Sequence, residues 1–163
     1  MLKFATLVIL VLLAGCATQR ELPVFQPASS ETATLRWQRG KASLTCEAVC
    51  ARSVNGAVLL RLYKQSPTPL LELRLEPDGL LSAKGSLARG GWTGPYFEAP
   101  APLSTWVSFL TIYQHARDLP VGDRELHTAS ARTAYTKTSS GLKSLSVVST
   151  DSAETVNALF QVR

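Results

Sequence analysis

Three cysteines and two histidines carry the most versatile side chains in this 163-residue chain. Thiolates are nucleophiles and metal ligands, and imidazole exchanges protons near neutral pH. A serine hydrolase would need one of the histidines, His115 or His127, beside an activated hydroxyl and a carboxylate. The surrounding patterns argue against it. There is no Gly-x-Ser-x-Gly elbow, no His-Glu-x-x-His pair and no glycine-rich phosphate loop. His115 falls in the last turn of an expected helix, where a cation complements the dipole. Asp123, Arg124, Glu125 and His127 read as a solvated strand or loop. Glu76 and Asp78 flank a turn in which aspartate serves local hydrogen bonding. Cys46 and Cys50 have no second Cys/His pair at ligand spacing, so no metal site is expected. No catalytic residue and no cofactor is assigned, and the chain reads as a non-enzyme.

Cys16 stands in a different setting. Lys3 is followed by an apolar stretch from Phe4 to Leu13, then by Ala14 and Gly15 directly before the cysteine. That is the layout of a secretory signal with a small-residue cleavage step. Leu13-Ala14-Gly15-Cys16 resembles the bacterial lipobox, whose cysteine receives a thioether-linked lipid and becomes the first residue of the mature protein. The alternatives are an ordinary signal peptide, or a short membrane anchor, with an incidental cysteine. The run is about half of the ~20 apolar residues that a spanning helix needs, which disfavours a retained transmembrane segment. The expected division is a signal peptide over 1–15, a lipidated cysteine and flexible tether over 16–33, and a single β-rich domain over 34–163. Pro23, Pro27 and their Gln, Ser and Thr neighbours give the tether its character.

An exported protein meets oxidising conditions, so Cys46 and Cys50 are candidates for a disulfide. Four steps along a straight strand span roughly 13 Å, whereas bridged Cα atoms sit about 4.4–6.8 Å apart. The bridge therefore requires Glu47-Ala48-Val49 to turn. The alternative is two buried thiols on one strand face. Charge narrows the partners: the formal net charge is +5, and the densest basic group, Arg36, Arg39 and Lys41, is spread along an alternating segment. Nothing in that arrangement tracks a phosphate backbone, so nucleic acid is not an expected partner. Weak attraction to anionic lipid or an acidic partner remains open.

The elements that would position these residues follow from periodicity. Leu35, Trp37, Ala42, Leu44, Cys46 and Ala48 alternate with polar residues as a half-buried strand does. Asn55-Gly56 signals a hairpin, followed by strands over 57–64 and 70–76. Pro77-Asp78-Gly79 is a turn in which proline presets φ and glycine takes the left-handed position. Strands over 80–87 and 92–97 continue an antiparallel meander. The period then changes: after Pro100 and Pro102, residues Trp106, Phe109, Leu110 and Tyr113 recur at helical spacing, with Val107 and Ile112 widening the stripe. Pro120 and Gly122 follow its expected end near Arg117. Further strands fall at 125–128, 132–138, 142–149 and 155–162. The sum is a mainly β fold of eight or nine strands with one substantial helix, a curved antiparallel sheet or unclosed barrel that the helix covers.

Two features bear on binding. Aromatic residues gather at the sheet–helix junction, and Trp37, Leu73, Trp106 and Leu110 are candidate linings of an apolar cavity there. An ordinary packed core is the alternative. Leu70 leaves the loop Ser66-Pro67-Thr68-Pro69 on the polar-facing register, where an exposed leucine could meet a membrane or an apolar partner; a leucine packed within its loop is the alternative.

The order of parts resembles the LolA/LolB-like lipoprotein-localisation family. The resemblance rests on the lipobox, the tether and an opening strand at Arg39-Gly40-Lys41-Ala42-Ser43-Leu44. It extends through the Ser-Pro loop before Leu70, the Pro-Asp-Gly turn and a Pro-Leu-Ser-Thr-Trp helix start at 102–106. It implies an unclosed barrel with helices over a hydrophobic cavity, and a role in accepting acylated lipoproteins from a periplasmic carrier. Leu70 stands where the family has a membrane-directed leucine in a Ser-Pro-Leu-Gly-type loop, although Thr68 and Pro69 are extra here and no glycine follows. Trp106 stands where the family has a helix tryptophan. Ala17, in place of the aspartate associated with inner-membrane retention, implies a periplasm-facing outer-membrane location. The expectation is a lipid-anchored envelope protein that binds acyl chains and helps receive or insert lipoproteins into the outer membrane. The alternative is a structural lipoprotein that docks an envelope complex through a sheet edge or the Leu70 loop.

Overall fold

The computed structural model describes residues 22–161. Cys16, the signal sequence and the first part of the tether lie outside them. Ten strands run β1 (Pro27–Arg39), β2 (Ala42–Ser53), β3 (Val58–Tyr63), β4 (Leu71–Leu75), β5 (Leu80–Lys84), β6 (Trp92–Pro95), β7 (Gly122–His127), β8 (Ala131–Thr138), β9 (Gly141–Ser149) and β10 (Glu154–Phe160). Helix α1 (Ser104–His115) lies between β6 and β7. The strands form one antiparallel sheet in the order β6-β5-β4-β3-β2-β1-β10-β9-β8-β7. The first and last strands pair at its middle, from Ala33 opposite Phe160 to Arg39 opposite Glu154, and β6 and β7 are its free edges.

The sheet must curve. Helix α1 packs against β3 on one side and β9 and β10 on the other. Four strand spacings separate β3 from β9, roughly 19 Å across a flat sheet, while a helix with its side chains is about 10–12 Å wide. One helix can touch both only if the sheet wraps around it. Its buried stripe, Trp106, Phe109, Leu110 and Tyr113, meets Leu35, Leu60, Leu73, Leu145 and Val156 in one core. Each fully buried leucine or aromatic contributes about 1.5–3 kcal/mol, so this contact fixes the helix on the concave face. Pro100 and Pro102 set up the entrance: a tight turn over Ala101–Leu103 feeds the helix, and Ser104 Oγ donates to the Ala101 carbonyl at 2.9 Å.

Three sequence expectations change in detail. Segment 34–48 is two strands, with the turn at Gly40, whose φ of +55° suits glycine. The trace of it is a phase slip: inward residues are odd-numbered at Leu35 and Trp37, and even-numbered at Leu44, Cys46 and Ala48. Second, β1 begins at Pro27, so part of the expected tether is sheet. It pairs with Ser53 through a register shift between Pro27 and Ser29. Third, β2 runs unbroken through Cys46 and Cys50, opposite Leu35 and Glu31 of β1. The turn a disulfide requires is absent, and both cysteines are free, buried thiols.

Candidate binding groove

Helix α1 carries a second stripe beside the one that enters the core. Ser104, Val107, Ser108, Thr111 and Ile112 follow 3–4 residue spacing and form one wall of a half-open groove of about 410 Å³. The facing wall comes from the end of the sheet where two hairpins turn. Thr128 and Ser130 lie between β7 and β8, Ala131 and Thr133 on β8, and Ser149 and Asp151 at the β9–β10 turn. Thr150 ties these turns together, its N–H bonding the Ser130 carbonyl at 3.1 Å and its Oγ1 standing 3.2 Å from Asp151 Oδ1 and 3.3 Å from the Ala129 carbonyl. Tyr96 and Phe97, in a tight turn after β6, form an aromatic lip with ring centroids 5.7 Å apart, edge to face. Phe97 is 74% exposed, unusual for a phenylalanine.

The many hydroxyls make this wall less polar than its composition suggests. Ser108 Oγ donates to the Ser104 carbonyl at 3.1 Å and Thr111 Oγ1 to the Val107 carbonyl at 2.9 Å. Ser104 Oγ and Thr128 Oγ1 likewise donate to the main chain. With these protons committed, the helix flank offers carbon and weakly accepting oxygen to the groove. Such a surface suits hydrocarbon better than a hydrogen-bonding ligand.

Below the groove a buried carboxylate pins the helix start. Glu154 Oε2 accepts from Thr105 Oγ1 at 2.7 Å and Oε1 from Trp37 Nε1 at 3.3 Å, with an Arg39 guanidinium nitrogen 4.0 Å away. The opposite helix end is held by Arg52, which donates to the Gln114 carbonyl at 2.8 Å and lies 4.1 Å over the Tyr113 ring. Tyr113 Oη donates to Glu31 Oε2 at 3.0 Å. Burial, reinforced by nearby Cys50 and Glu31, drives the Tyr113 phenol well above its usual range. Burial likewise pushes the Cys50 thiol up, and lifts Cys46 to about 11. These groups stay neutral at physiological pH and serve packing.

The residues singled out in the sequence are placed elsewhere. Leu73, Trp106 and Leu110 belong to the core, Trp37 packs against it, and none of the four lines the groove. Leu70 does not protrude: it is half-buried, and its backbone is clamped between the Leu62 carbonyl and the N–H of Leu87. His115 is exposed at the helix end. His127 lies 3.7 Å from Glu125, which also pairs with Arg132, in an exposed cluster on the edge hairpin. Among the described residues there is no group of three metal-ligating side chains and no helix long and apolar enough to cross a membrane. The groove itself is hidden in the sequence because three of the five residues in its helical stripe are serine or threonine, and Val107 and Ile112 read as the edge of the core stripe. The spacing 104, 107, 108, 111, 112 is the signal that could have found it. No protein-family model matches this chain, and a search of curated proteins finds no significant match.

Proposed function

We propose that this chain is a lipid-anchored envelope protein, similar in duty to the LolA/LolB-like family, that binds acyl chains and helps receive or insert lipoproteins into the outer membrane. The observation that carries the reading is the half-open groove beside α1, with its exposed aromatic lip and a helix wall whose hydroxyl protons are committed to the main chain or to Glu154. Its volume is that of a small-molecule site. Binding needs no covalent step, because removing a chain from water contributes about 0.8 kcal/mol per buried CH₂. A lipid on Cys16 would lie six residues from Leu22, a reach of at most about 20 Å, and would keep the domain beside the bilayer. Docking through the sheet edges is less well supported. β6 is four residues long and ends in Gly94-Pro95, and β7 exposes Asp123, Arg124 and Glu125, features that resist strand addition.

A fluorescent acylated peptide tests this reading on the full-length chain carrying Cys16→Ala. Saturable one-to-one binding is expected, lost in Ile112→Glu, with no binding of the unacylated peptide. An intact fold with no acyl-dependent binding would overturn the reading, as would correct lipoprotein sorting in cells depleted of the protein.

A further inference from the structure

Resting on that reading of the groove, we infer that it selects acyl chains by their head, taking those attached to a neutral or cationic group and rejecting free carboxylates and phosphates. The argument is charge placement. Among the described residues lining the groove, Asp151 is the one fully charged side chain, and no lysine or arginine joins it. Its position is defined by the hairpin ends. Ala131 pairs with Ser149 and Thr133 with Val147, so the groove runs along the sheet from the turns inward. Asp151 lies two residues beyond Ser149, at the end shared with Thr128, Ser130 and the start of α1, while Thr111 and Ile112 lie farther along the helix.

A ligand lying with its tail along Val107 and Ile112 therefore places its head beside this carboxylate. A helix N-terminus would ordinarily attract an anion there. Here the amides at the helix start are turned into the preceding turn, Leu103 N–H bonding the Pro100 carbonyl and Ser104 N–H the Ala101 carbonyl. The buried Glu154 carboxylate, which accepts from the Thr105 hydroxyl, already sets negative charge beside the first turn. Arg39 stands 4.0 Å from the same carboxylate and does not line the groove. An incoming carboxylate meets one acid at the mouth and a second beneath the wall, with no cation to receive it. An amine or ester head meets attraction or indifference.

The test compares three probes with one alkyl chain, dodecylammonium, dodecan-1-ol and dodecanoate, as displacers of Nile red from the full-length Cys16→Ala chain. Dodecylammonium is expected to bind about five- to ten-fold more tightly than dodecanoate at low salt, the gap closing as salt screens it. Asp151→Asn should bring that ratio to within about two-fold, whereas Asp123→Asn, the same charge removed from edge strand β7, should keep the wild-type ratio. If dodecan-1-ol displaces the dye but all heads bind alike, or Asp151→Asn leaves the ratio intact, the inference falls and the acyl-binding reading stands. If no probe displaces the dye, both fall together.

Discussion

Glu154→Gln removes one charge from the pin beneath the groove and almost no volume. Glu154 is 2% exposed. Its carboxylate faces three donors: Thr105 Oγ1 at 2.7 Å, Trp37 Nε1 at 3.3 Å and Ser152 Oγ at 3.4 Å. A glutamine has one acceptor oxygen to offer. If that oxygen serves Thr105, the amide NH₂ turns toward the indole N–H, and two donors confront each other. A hydrogen bond to a charged group contributes about 1.5–3 kcal/mol. The Arg39 pair, open to solvent on its arginine side, adds at most about 1 kcal/mol. The expected loss is therefore about 2–3 kcal/mol, a large share of the ~5–15 kcal/mol that holds a domain folded. Urea unfolding followed by tryptophan fluorescence reads this directly. With a slope of about 1–3 kcal/mol/M, the midpoint should fall by roughly 1–2 M. Thr105→Val should cost about 1–2 kcal/mol alone, and the double variant should fall short of the sum by about 1 kcal/mol or more. A Glu154→Gln loss under about 0.5 kcal/mol, or strict additivity with Thr105→Val, would show that the carboxylate does not hold the helix start.

Other expectations follow from burial and backbone geometry. In the native Cys16→Ala chain at pH 8, Cys46 and Cys50 should resist iodoacetamide for hours and react within minutes in denaturant, as read by mass spectrometry. The same raised values make stability alkali-sensitive. The folded state keeps these protons after the unfolded state has lost them, so the contribution is intact below the ordinary thiol value of 9.0 and declines as pH rises, over 9 to about 11 for Cys46 and on to higher pH for Cys50. Each group adds a slope of about 1.4 kcal/mol per pH unit, and Cys50→Ala should flatten its share in urea titrations at pH 9–11. Gly85→Ala should lower stability by about 2 kcal/mol or more in thermal melts. Its φ is +102°, and a Cβ would lie 2.5 Å from the Leu70 carbonyl oxygen. Gly40→Asn, where a Cβ meets nothing within 4 Å, should cost under about 1 kcal/mol by the same assay.

The elements that announce themselves in sequence are those whose pattern and turn chemistry agree. Asn55-Gly56, Pro77-Asp78-Gly79 and Ser139-Ser140-Gly141 mark their hairpins, and the aromatic spacing from Trp106 to Tyr113 marks the helix face in the core. The tenth strand was hidden because Arg39-Gly40-Lys41 offers one glycine among charged residues, and only the slip in alternating phase betrays it. The groove is hidden for a deeper reason. Periodicity in apolar residues reports surfaces that are fully buried, while this wall is half-open and built from hydroxyls that become carbon-like only once the helix forms and its carbonyls accept their protons. Likewise, nothing local in Tyr96-Phe97 says that the turn after β6 will leave a phenylalanine exposed at the groove's rim.

The topology explains why an opening exists at this place. Because β1 and β10 pair at the sheet's middle, the chain reaches one free edge at β6 and must cross to the other edge at β7. Helix α1 is that crossing, and it threads the concave face. Closing the sheet into a barrel would require β6 and β7 to pair. Pro95 lacks the N–H such a ladder uses, Gly94 weakens the strand, and Asp123, Arg124 and Glu125 occupy the opposite edge. The sheet therefore stays open, and its curvature is set by the helix it wraps. A single helix fills the core with one stripe and leaves its neighbouring stripe facing the gap between the crossing and the β7–β8 and β9–β10 turns. On the acyl-binding proposal, a chain enters that gap sideways without any strand separating, which a closed barrel would forbid. The same residues that prevent closure keep the groove accessible, so introducing pairing at β6 would be expected to stabilise the sheet at the expense of ligand access.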